Sequence, residues 1–97
     1  MMYRQGDLLF RKVDRIPSGF SSSRDPVILR GEATGHKHEL VNGVVFRAKY
    51  HRELYIEVQK NGRIIHEEHR TLELPIGTFL VIRQREYSPW KEMNVLD

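Results

Sequence analysis

The chain has 97 residues, 39% of them hydrophobic and 30% charged, with 16 Lys and Arg against 13 Asp and Glu and a net charge of +3. That length suffices for one small domain burying roughly two thirds of its unfolded surface, and the absence of cysteine excludes a disulfide, a thiolate metal site and a cysteine nucleophile, which suits the reducing cytoplasm. The pI near 9.4 favours anionic partners but falls short of the strongly basic surface of a dedicated nucleic-acid binder.

The opening Met1-Met2-Tyr3-Arg4-Gln5-Gly6-Asp7 places charge and glycine where a signal peptide needs an apolar run. No stretch approaches the ~20 apolar residues of a membrane span, so a cytoplasmic protein that does not engage a membrane is expected. Leu8–Val13 reads as a first strand. Residues 16–26, rich in Pro, Gly and Ser, read as a loop, because these residues interrupt both regular structures. Val27–Arg30 is a second strand, and the dipeptides Asn42-Gly43 and Asn61-Gly62, each between apolar or alternating runs, predict two hairpins in series. Thr71–Leu74 alternates, Pro75-Ile76-Gly77 turns the chain, Thr78–Arg83 is another strand, and a short strand is expected over Met93–Leu96. No window carries a sustained helical period. Seven to eight short strands in one domain over 1–97 predict an all-β fold, a small β-barrel that hides its strand edges.

Four of the five histidines fall in two close pairs, His36-Lys37-His38 and His66-Glu67-Glu68-His69. Imidazole and carboxylate are the usual protein ligands of zinc, nickel, iron and manganese, and two strands bearing such pairs can supply one divalent ion. The hairpin registers make the expectation specific. Around Asn61-Gly62, Val58 would face Ile65, Ile56 would face Glu67 and Leu54 would face His69. Glu67 and His69 would then point inward, with His66 and Glu68 outside. Around Asn42-Gly43, His38 would face Arg47 and His36 would face Lys49. The expected ligand set is His36, His38, Glu67 and His69, and His66 replaces one of them only if a bulge breaks the strand. His-Glu-Glu-His is not the helical zinc-protease motif, which needs histidines four apart on a helix. Such histidines also occur on solvated strands without metal.

Gly31-Glu32-Ala33-Thr34-Gly35-His36-Lys37-His38, with the later Pro75-Ile76-Gly77, resembles a compressed cupin signature. That resemblance implies a small β-barrel with a metal held inside it by three histidines and a glutamate, and dimerisation through strand exchange or sheet packing. The chain departs from the signature where Asn42 stands at the expected glutamate and Leu80 at the expected histidine. Thr34-Gly35-His36-x-His38, His66-Glu67-Glu68-His69 and Gln84-Arg85-Glu86-Tyr87 together also resemble a group of short bacterial and phage-type proteins, which carries a pattern without an activity.

Arg83-Gln84-Arg85-Glu86-Tyr87 is a second constellation, in which Arg83 and Arg85 share one face of an extended segment and present guanidinium forks to a carboxylate or phosphate. Arg47, Lys49, Arg83, Arg85 and Tyr87 are thus the candidate anion-binding residues. Two functions compete. In one, a divalent metal activates water or binds an anionic small molecule. In the other, a metal-free site binds an anion or RNA phosphate, with paired histidines as acid and base. A non-catalytic regulatory or assembly barrel, GroES-like or SH3-like, is the third possibility, and a homodimer is expected in each case.

Overall fold

The computed structural model of the protein describes residues 1–31 and 33–84, so the strand expected over residues 93–96 and the candidates Arg85 and Tyr87 lie outside the described residues. Those residues form an all-β fold: β1 (Met2–Gln5), β2 (Leu8–Val13), β3 (Ser21–Ser23), β4 (Val27–Arg30), β5 (Lys37–Arg47), β6 (Leu54–Ile65), β7 (Leu72–Glu73) and β8 (Gly77–Arg83). Every pairing is antiparallel, in one sheet ordered β1-β2-β8-β6-β5-β3, with β4 also on β5 and β7 also on β6. Among the described residues no helix is long and apolar enough to cross a membrane.

Strand β8 is central, and its Phe79, Leu80 and Val81 are all buried between β2 and β6. In β6 the alternation is clean: Leu54, Ile56 and Val58 are buried while Glu57 between them is exposed. One core cluster unites Leu8 and Phe10 of β2, Ile28 of β4, Leu40 and Val45 of β5, and Ile56 and Ile64 of β6. Strands from both ends of the sheet meet in that cluster, so the sheet curls over onto itself. Tyr3 of β1 joins it edge-on against Phe79, with ring centres 5.8 Å apart.

Two features differ from the sequence expectation. The first strand, β1, turns directly into β2 through Gly6-Asp7, and Gly6 has φ +60 while Asp7 keeps a negative φ, the pattern of a two-residue type II′ hairpin. The second difference is larger. Neither Asn-Gly dipeptide makes a hairpin; both lie inside the long β5 and β6 strands, which pair with each other from Glu39↔Ile65 to Phe46↔Tyr55. The register slips between Val41↔Arg63 and Gly43↔Val58, so that Asn42 alone stands opposite residues 59–62. Asn42 and Asn61 take left-handed φ values of 59° and 62°, and the Asn42 side-chain amide donates to the Asn61 carbonyl at 3.1 Å. A left-handed Asn-Gly serves a bulge as readily as a tight turn.

The bulge bends β6 so that its first half pairs with β8 and its second half with β7. It also crowds the glycines: a Cβ on Gly43 would come within 2.7 Å of the Glu57 carbonyl, and one on Gly62 would run into Val58 Cγ1. Gly43→Ala is therefore expected to lower stability by about 2–3 kcal/mol, against less than ~0.5 kcal/mol for Lys60→Ala in the same bulge. Urea denaturation of the two variants measures the difference; equal midpoints would mean that the ladder is not pinned at this point.

Candidate functional site

Strand β6 ends at Ile65, and residues 66–69 are a bent loop in which strand alternation no longer applies. The His66 ring organises that loop, its Nδ1 accepting the backbone N–H groups of Glu68 at 3.0 Å and His69 at 3.2 Å. The N-terminal end of β5 lies alongside, so that the two histidine pairs form one cluster. Ring centres are 4.4 Å apart for His38 and His66, 4.5 Å for His66 and His69, 5.7 Å for His36 and His66, and 5.8 Å for His38 and His69. With Asp7, Arg30, Thr34, Glu68 and Arg83 these rings line a polar cleft of about 360 Å³.

His38 is buried, at 5% exposure, beside the equally buried Gln5. Its Nδ1 lies 2.8 Å from Gln5 Oε1, and the Gln5 amide nitrogen donates to the carbonyls of Ile64 at 2.8 Å and Arg70 at 2.9 Å. Those two carbonyls orient the amide with its oxygen toward His38. Nδ1 therefore carries the proton and Nε2 is the lone-pair nitrogen. Burial, reinforced by the neighbouring His66, pushes the His38 pKa down to about 4. His36 has a comparable support, its Nδ1 standing 2.5 Å from Glu68 Oε1, which leaves Nε2 as its lone-pair nitrogen when the ring is neutral. His66 is the opposite tautomer, because an Nδ1 that accepts two N–H groups leaves the proton on Nε2. Its pKa is lowered by burial and by His69. The His69 ring rests on the β1–β2 turn, where a Cβ on Gly6 would lie 2.6 Å from His69 Nε2.

Glu67 does not belong to this cleft. Its Oε1 accepts the Lys37 backbone N–H at 2.8 Å, which lowers its pKa and straps the loop to the start of β5. Of the two adjacent glutamates it is Glu68 that lines the cleft, opposite to the expected inward and outward assignment, because the strand stops before either residue. Arg47 and Lys49 are also displaced from the expected site. Without a hairpin at Asn42, Arg47 stays nine residues beyond His38 on the same strand and does not line the cleft. There it donates to the Val27 carbonyl, while the Lys49 ammonium lies 5.5 Å from the Tyr50 ring centre. Arg83 does reach the cleft, with Nη2 3.7 Å from Asp7 Oδ2 and its buried Nε without a hydrogen-bond partner among the described residues.

Gln5, Asp7, Arg30 and Thr34 are the site residues that sequence reasoning missed, and Glu68 is one that it placed outside. Asp7 stands in a Gly-Asp turn and Thr34 in the histidine motif, but neither signal pointed to a place in the site. Imidazoles bound through one nitrogen to a common tetrahedral ion have ring centres about 5 Å apart, given metal–nitrogen bonds of about 2.0–2.1 Å; the 5.8 Å between His38 and His69 is near that value, and the other three spacings all involve His66. Among the described residues no group of three histidine or carboxylate side chains is placed to hold a metal ion.

Fold and site thus define a class: a small, all-β, single-sheet protein with a histidine-lined polar cleft at the junction of β1, β5 and the 66–69 loop. Residues 4–84 match the sequence model of a family described as a domain of unknown function, DUF8820, and the chain belongs to that family. The match spans every cleft residue named above. No curated protein and no solved structure matches the chain.

The buried His38 makes stability depend on pH. In metal-free protein, the unfolded chain takes up a proton near pH 6.5 that the native His38 refuses until about pH 4. Stability is therefore complete above about pH 6.5 and falls by up to about 3 kcal/mol as pH drops toward 4. Urea melts across this range should show the fall, much reduced in His38→Gln; an unchanged slope in the variant would assign the dependence to other groups.

Proposed function

We propose that the cleft binds one divalent transition metal, zinc, nickel, iron or manganese, through His36, His38 and His69. The Gln5–His38 hydrogen bond carries this reading. A buried amide, oriented by two backbone carbonyls, holds the imidazole in the tautomer that offers Nε2, the kind of outer-shell support that metal-ligating histidines have. Glu68 supports His36 in the same way. His66 presents an N–H instead of a lone pair, so it serves as a neighbour of the ion rather than a ligand. Three protein ligands leave a coordination position for water or a substrate, the composition of a reactive rather than a purely structural site. The metal-free phosphodiester reading is the weaker one, since Arg47 and Lys49, two of the cations it needs, do not line the cleft.

Metal content of tag-free protein, measured by mass spectrometry, tests the proposal. The parent should hold about one equivalent after reconstitution, and a folded His36→Ala/His38→Ala variant less than about a tenth of that. Glu67→Gln should match the parent, whereas Gln5→Leu, with all three ligands intact, should bind about 10- to 100-fold more weakly. A folded parent that takes up none of the four metals would overturn the reading.

A further inference from the structure

The same cleft has a donor and charge balance that specifies its guest. With the histidines neutral, its described charged side chains are Asp7 and Glu68 against Arg30 and Arg83, which cancel. A divalent ion would leave the cleft two charges positive. The groups not already engaged are also mostly donors. His66 has its Nδ1 occupied by two backbone N–H groups and so presents Nε2–H. Thr34 Oγ1 accepts the His36 backbone N–H at 3.2 Å, leaving its hydroxyl proton free to donate. The Arg83 guanidinium is only loosely held, since Asp7 stands at 3.7 Å, beyond hydrogen-bond distance. On the acceptor side, Glu68 Oε1 is taken by His36, which leaves the Asp7 carboxylate as the main acceptor, outnumbered by the donors around it.

We infer that the cleft receives a small molecule bearing a dianionic oxyanion group, one oxygen on the ion and another on the Arg83 guanidinium. This rests on the metal reading and adds to it the chemical class of the guest. A phosphate monoester and a dicarboxylate share that chemistry. Arg83 provides a planar fork suited to either, and Arg30 supplies a second positive charge at the rim. The ion and Arg83 act together, so removing either weakens binding.

Calorimetric titration of the metal-loaded protein with inorganic phosphate and, separately, with malonate tests this, with metal content assayed on every sample. The expected result is one-to-one binding of at least one anion, and the tighter of the two identifies the oxyanion type. Arg83→Gln should bind it at least about tenfold more weakly while keeping the parent's metal content, and the metal-stripped parent should be weakened at least as much. Arg30→Gln, at a more exposed position, provides the same comparison if Arg83→Gln does not fold. Loaded protein that ignores both anions overturns this inference while leaving the metal site standing. Equal binding by both arginine variants and the parent, or by stripped and loaded protein, overturns it as well. A parent that takes up no metal fails at the earlier step.

Discussion

The side-chain amide of Gln5 has three partners, His38 Nδ1 and the carbonyls of Ile64 and Arg70, and the geometry of the cleft depends on it. A buried amide left unsatisfied costs about 1–3 kcal/mol per group, so a fold that brings Gln5 inside must also bring these partners to it. The bonds tie β1 to the far half of β6 and to the loop beyond it, across separations of 59 and 65 residues. The ladder does not pair β1 with β6. This amide therefore holds the curl of the sheet at the point where the histidines gather, and the same contact that satisfies it fixes the tautomer of His38.

The bulge in the β5–β6 ladder makes that curl possible. A straight β6 of twelve residues would extend past β8, whose pairing with it runs only from Leu54 to Val58. By turning at Asn61-Gly62, β6 sends Ile64 back into the core and delivers residues 66–69 to the beginning of β5. Gly43 and Gly62 are required there by close approach, since a side chain on either would meet the opposite strand or Val58. The site is thus assembled by a backbone irregularity some distance from it.

Much of the fold is legible in the sequence. Leu8–Val13, Val27–Arg30 and Thr78–Arg83 announce strands by their apolar runs, and the two histidine pairs cluster because one opens β5 and the other follows the end of β6. The details fail where local chemistry is degenerate. Asn-Gly supplies a left-handed residue and a glycine, which a tight turn and a bulge both need, and the choice between them is made by long-range pairing with β8 and β7. Once hairpins are assumed, Arg47 and Lys49 are drawn toward the histidines by the Asn42-Gly43 register and Glu67 is turned inward by the Asn61-Gly62 register, and all three placements fail with those turns. Gln5 has no local signature at all: a glutamine before a Gly-Asp turn reads as surface, and only the folded chain shows it buried.

The loop that carries His66 and His69 contributes no residue to the apolar core; polar contacts hold it instead. Glu67 binds the Lys37 N–H, Glu68 meets His36, the Arg70 carbonyl accepts from Gln5, and His66 ties the loop to itself. Segments stabilised in this way open locally at lower free energy than the strands they join. Such an opening would release two imidazoles, one carboxylate and the outer wall of the cleft in a single motion. Access to the cleft would therefore need no channel through the sheet, since one of its walls is a loop held by polar contacts and not by the core.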